Sequence, residues 1–180
     1  MTKHIALLRA VNVGGHGKVR MADLQALAEA MGFTQVRTLL QSGNLVFDAD
    51  GAAPEDLEQR IEAELAGRLD LASAVIVRSA QAWAGIIAAN PFADAARDDP
   101  GRLLVMPLKA EPAADREAAL QAAIKGRETA RVIRACAYLV YPDGIGDSKL
   151  TNAVIERQLG AKGTARNWNT VTKLAALAES

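Results

Sequence analysis

Four short segments hold the residue types able to grip a ligand. "NVGGHGK" (12–18) sets Asn12 and Lys18 around Gly14, Gly15 and Gly17, with Arg9 just upstream. "QSGN" (41–44) flanks a Ser42–Gly43 turn with two amides, Gln41 and Asn44. "SKLTN" opens on Ser148 and Lys149, and "TARNWNT" (164–170) interleaves Arg166, Asn167, Asn169 and Thr170 with Trp168. Together these are ammonium, guanidinium, amide and hydroxyl donors, joined by glycines that let backbone N–H groups converge. That is the chemistry of oxyanion binding.

Each segment also has a purely structural explanation. Three glycines make a flexible strand-to-helix connection, and "NVGGHGK" departs from the phosphate-loop pattern. Asn12 stands where the first glycine is required, and Val19 follows Lys18 in place of Ser or Thr. Gly43 and Asn44 suit a hairpin turn, which leaves Gln41 as the residue turn chemistry explains least. Asp147 or Ser148 can satisfy free donors ahead of a helix starting near Thr151. Asn169 or Thr170 can cap the last helix. Trp168 either stacks on a ligand or packs in the core.

Charge distribution favours the ligand. The chain has 21 Lys plus Arg and 21 Asp plus Glu, for a net charge of +0. Residues 1–20 nevertheless hold Lys3, Arg9, Lys18 and Arg20 with no acid, a local +4. Residues 149–173 hold five bases against Glu156 alone, again +4, so the remainder carries −8. Solvated helix faces would spread positive charge more evenly. Overall neutrality in turn favours a small anion over a long nucleic acid held by bulk charge.

Catalytic and metal chemistry have little to work with. His4 and His16 are the only histidines, and the one cysteine, Cys136, lies in an apolar run. No Cys/His spacing suits a metal, no cofactor motif is present, and Ser42 and Ser148 have no evident base beyond Lys149 and His16. A single cysteine fits a reducing, cytoplasmic setting. The opening residues do not read as a signal peptide, and no apolar run reaches membrane-spanning length.

The elements that must position these groups follow from periodicity. "KHIALLRAV" reads as a strand and "MADLQALAEAMGF" as a helix stopped by Gly32. "TQVRTLLQ" and "NLVFDA" read as paired strands, "PEDLEQRIEAELAGRL" as a helix begun by Pro54, and "ASAVIVRS" as a strand. That order, βαββαβ, is the ferredoxin-like plait. It runs the third strand back between the first two, which brings "NVGG" and "QSGN" to one end of the sheet. After a helix cut off by "NPF", the remainder reads as βαββα plus a closing helix, with no obvious final strand. The expected fold class is α+β: two tandem ferredoxin-like plaits, the second irregular. Its domains are 1–90 and 91–180.

"ALLRAVNVGG", "VRTLLQSGNLVF", "NPF", "SKLTN" and "TARNWNTVTKL" together resemble the bacterial family catalogued as domain of unknown function 1697. The resemblance implies tandem α/β plaits and names no activity. The chain departs from the family's pattern at Ala10, where Gly is usual, and at His16, Gly17, Arg20 and Leu39. It keeps Asn12, Gly14, Gly15 and Lys18.

The leading expectation is a protein that binds a small, phosphate-bearing, nucleotide-like ligand in a cleft between the two domains. Arg9, Asn12, Gly14, Gly15, Lys18, Gln41, Ser42, Asn44, Ser148, Lys149, Arg166, Asn167, Asn169 and Thr170 would line it. The alternatives are an enzyme acting on a small anionic substrate through Lys and Ser residues, and a nucleic-acid-binding module.

Overall fold

The computed structural model describes residues 1–180 as an α+β protein with two four-stranded antiparallel sheets and seven helices. Two compact units divide the chain, Met1–Gly85 with Leu174–Ser180, and Ile86–Lys173. No helix is long and apolar enough to cross a membrane.

In the first unit β1 (Thr2–Leu8), β2 (Thr34–Thr38), β3 (Asn44–Ala49) and β4 (Val75–Ser79) assemble in the order β2-β3-β1-β4. Every pairing is antiparallel, and β3 pairs with both β1 and β2, so the third strand does run between the first two. Helix α1 (Met21–Ala30) buries Leu24, Leu27 and Ala28, and ends where Gly32 takes a φ of +86°. Helix α2 (Pro54–Leu69) starts on a proline that has no N–H to leave unpaired, and buries Leu57, Ile61 and Leu65 completely. These join Ala6, Leu8, Leu45 and Phe47 in one apolar core.

In the second unit β5 (Leu103–Pro107), β6 (Thr129–Ile133), β7 (Cys136–Val140) and β8 (Arg166–Asn167) take the order β6-β7-β5-β8. Its helices are α3 (Ala80–Ala88), which starts in the first unit, α4 (Ala93–Asp98), α5 (Arg116–Ala123), α6 (Asn152–Leu159) and α7 (Trp168–Glu179), which ends there. A final strand therefore exists where the sequence showed none. It is two residues long and pairs Arg166 with Val105 and Asn167 with Leu104. Two residues are too few to show the alternation by which strands are recognised. Helix α4 was also missed, because its six residues bury nothing and so carry no apolar stripe.

One outer edge of each sheet is capped by helix side chains. On β4 the N–H groups of Val75 and Val77 donate to Glu62 Oε1 at 2.8 Å and Glu58 Oε1 at 2.9 Å. Glu58 and Glu62 lie one helical turn apart, matching alternate residues of the strand they cap. On β6 the Val132 N–H donates to Glu117 Oε2 at 2.7 Å, and Gln121 Nε2 donates to the Ala130 carbonyl at 3.2 Å. Capping an edge in this way satisfies buried donors and removes a template for strand addition.

Glu58 is 5% exposed and lies 3.7 Å from Arg78 Nη1. Glu58→Ala strands the Val77 N–H and removes a carboxylate from beside a mostly buried guanidinium, which keeps its bond to the Val77 carbonyl. It should cost about 3 kcal/mol in urea denaturation, with Glu62→Ala nearer 1 kcal/mol.

His4 is 3% exposed, stacks on Phe47 at 5.7 Å between centroids, and its Nδ1 has no hydrogen-bond partner. Burial lowers its pKa below the ordinary 6.5, with Asp48 opposing. In acid the unfolded chain therefore takes up this proton more readily than the folded one. The stability from neutral His4 is complete above pH 6.5 and is lost as pH falls below it. Denaturation from pH 8 to about pH 5 should show this loss, and His4→Phe should flatten it.

Candidate functional site

The two loops at one end of the first sheet are joined by a single side chain. Asn12 takes a φ of +54°, a left-handed conformation that asparagine tolerates better than most residues. Its Nδ2 donates to the Gln41 carbonyl at 2.7 Å and to the Val19 carbonyl at 3.0 Å. Its Oδ1 accepts the Val19 N–H at 2.9 Å. One amide thus ties the glycine loop to the hairpin turn and to the entry of α1.

Between Asn12 and Gly17 the loop is a small hairpin. The Asn12 N–H bonds the Gly17 carbonyl at 3.0 Å, and the His16 N–H bonds the Val13 carbonyl at 3.1 Å. Gly14 and Gly15 form its tip at φ +59° and +80°, the signs a two-residue hairpin turn of the primed type requires. Ala10 sits at φ +55°, a left-handed conformation that glycine would take without strain.

Asn44 is fully buried. Its Nδ2 donates to the Leu39 carbonyl at 2.6 Å and to Ser42 Oγ at 2.9 Å, so it holds the turn from within. Gly43 takes φ +79°, and a Cβ there would lie 2.6 Å from Val11 Cγ2 and 2.9 Å from Leu8 Cβ. Of the "QSGN" side chains, Gln41 is the exposed one.

These loops wall a cavity of about 560 Å³, lined by Asn12, Gly15, Lys18, Gln41, Arg20 and Asp23, with Val19 and Leu69 as apolar wall. That volume suits a small metabolite. Sequence reading had singled out four of the lining residues: Asn12, Gly15, Lys18 and Gln41. It missed Asp23, although its three-residue spacing from Arg20 on a helix start was a usable signal. Arg20 grips Asp23 with two bonds, Nε at 2.7 Å and Nη2 at 2.8 Å. The bonds raise the Arg20 pKa and lower that of Asp23. Lys18 is exposed and has no carboxylate partner, so it is the uncompensated cation of the cavity. Arg9 is half-buried and is not among the lining residues; its backbone carbonyl accepts Ser73 Oγ at 2.8 Å.

The remaining candidates belong to the second unit. Ser148 and Lys149 line a smaller cavity of about 240 Å³. Ser148 Oγ donates to Glu128 Oε1 and accepts the Leu150 N–H at 3.1 Å. The bond from Ser148 holds the Glu128 carboxyl below its usual range, which makes it a poor proton acceptor. Arg166 is 8% exposed, and its Nη1 donates to Thr164 Oγ1 at 2.7 Å and the Ala165 carbonyl at 2.9 Å. Burial pulls its pKa down to about 10. The cap of α7 is Asn167, whose Oδ1 accepts the Thr170 N–H at 3.0 Å, in place of the expected Asn169 or Thr170. Thr170 is buried, Asn169 exposed and Trp168 half-buried.

Fold and site together define an α+β protein of two antiparallel sheets, with a cavity built from the connections at one end of the first. The chain belongs to the family described as protein of unknown function DUF1697, whose model matches residues 1–138. Its fold is similar to that of the conserved bacterial protein SP0830 from Streptococcus pneumoniae, at 18% identity and a TM-score of 0.77 over 98% of each chain. No curated protein matches it.

The division of labour inside "QSGN" is measurable. Gly43→Val should cost at least 3 kcal/mol in chemical denaturation, since it meets both a left-handed backbone and two packed side chains. Gln41→Ala should stay within about 0.5 kcal/mol of the parent, because the turn uses the Gln41 carbonyl and not its amide.

Proposed function

We propose that the cavity of the first unit binds a small, phosphate-bearing ligand. The observation that carries this reading is Lys18, a cation without a counter-charge on the wall of a cavity about 560 Å³ in size. Neighbouring groups point the same way. The cavity reaches the start of α1, where Arg20 in the N-cap position supplies no side-chain acceptor for the first-turn N–H groups. Gly15 has nothing within 4 Å of where a Cβ would stand, so an oxyanion can approach its backbone. Gln41 adds an exposed amide, and Asp23 is already neutralised by Arg20.

In this reading both units are ferredoxin-like plaits, supported by their strand orders, the second with β8 reduced to two residues. The first plait serves as a rigid sheet whose end loops do the binding, a common way for such scaffolds to carry function.

Thermal unfolding tests the ligand class. Phosphate should raise the melting temperature more than chloride at matched ionic strength, as a ligand of the native state does. Phosphate and sulfate also stabilise proteins generically, so the control is Lys18→Gln. That variant should lose most of the phosphate-specific increment. If it keeps the full increment, the cavity is not an anion site.

A further inference from the structure

Leu40 is held in an unfavourable state on two counts. Its φ is +60°, a left-handed conformation that a bulky side chain adopts only against steric resistance. Its side chain is also 52% exposed, so burial does not repay that resistance. Glycine at this position would incur neither penalty, and asparagine would lessen both. The conformation is imposed from both sides. Asn44 Nδ2 binds the Leu39 carbonyl just before Leu40, and Asn12 Nδ2 binds the Gln41 carbonyl just after it. Strain of this kind persists where the surroundings over-determine it, and it gathers at sites that contact ligands.

A second apolar side chain stands in the partner loop. Val13, beside the glycine tip, is 64% exposed. Only four large apolar residues of the chain are exposed: Met1, Val13, Leu40 and Ile145. Two of the four therefore fall in the pair of loops that Asn12 joins, next in sequence to Asn12 and Gln41 of the cavity wall. With Val19 and Leu69 lining the cavity itself, its surroundings are more apolar than an inorganic anion needs.

We propose that Leu40 is a specificity residue that seats the ring of a nucleotide whose phosphate lies near Lys18. The inference rests on the anion reading above and narrows it from phosphate-bearing ligands in general to those with a flat, weakly polar ring. A nucleobase offers such a face to an aliphatic side chain, whereas a phosphosugar offers hydroxyls.

Isothermal titration of the full chain with AMP, ribose 5-phosphate and inorganic phosphate separates the two claims. AMP should bind at least tenfold more tightly than ribose 5-phosphate. Leu40→Asn and Leu40→Gly should each remove most of that tenfold and leave the affinity for inorganic phosphate unchanged. Both variants should melt higher than the parent, because each relieves the strain. Greater stability with weaker AMP binding is the signature of a residue retained for contact. If AMP and ribose 5-phosphate bind equally, or if both Leu40 variants keep the full AMP affinity, the ring seat is overturned while the anion site stands. If none of the three binds, both readings fall.

Discussion

The candidate site depends on the Asn12 side chain. An amide offers two N–H donors and one carbonyl acceptor, and Asn12 uses all of them within its own sheet end. Two bonds close the strand-to-helix loop on Val19, and the third reaches the hairpin turn at Gln41. Loops of this length carry backbone groups that must be paired or solvated, and their relative position costs entropy to define. By pairing groups from three segments at once, Asn12 turns two flexible connections into one wall. The positions of Lys18, Gln41 and the start of α1 follow from it.

The surrounding fold makes that bond achievable. Because β3 pairs antiparallel with β1, the loop leaving β1 and the turn entering β3 must emerge at the same end. Gly43 lets the turn settle directly on Leu8 and Val11, and its carbonyl accepts the Leu8 N–H at 2.8 Å. Asn44 then braces the turn from its buried side. Strain at Ala10, Asn12 and Leu40 is borne by this bracing and by the core beneath, where Leu8, Leu45 and Phe47 are fully buried.

Much of this was legible from residue order. The meeting of "NVGG" and "QSGN" follows from strand and helix periods alone, and so do the bounds of α1 and α2 to within about a residue. The division of roles among the polar residues was not legible. Asn12, Asn44 and Gln41 are the same chemical group, and only packing decides that two of them pair with backbone while the third faces the cavity. Arg166 shows the same limit. A base among Asn and Thr looks like an anion ligand in sequence, yet it lies in a two-residue strand that no alternation could reveal. Composition likewise says nothing of where the last helix packs, although Leu174–Ser180 belongs with the first unit.

The most direct test of the account is amide hydrogen exchange at Val19, followed by NMR in the parent and in Asn12→Ala. The Val19 N–H donates to Asn12 Oδ1 and to no helix or strand partner, so its protection reports the hold of the Asn12 side chain on its own loop, while the Gln41 and Ser42 resonances report its link to the turn. The account predicts a slowly exchanging Val19 in the parent. In the variant it predicts loss of that protection and shifted resonances at Gln41 and Ser42, with β1 and β3 still protected. A Val19 amide that exchanges equally fast in both proteins, or a variant with unchanged Gln41 and Ser42 resonances, would contradict it.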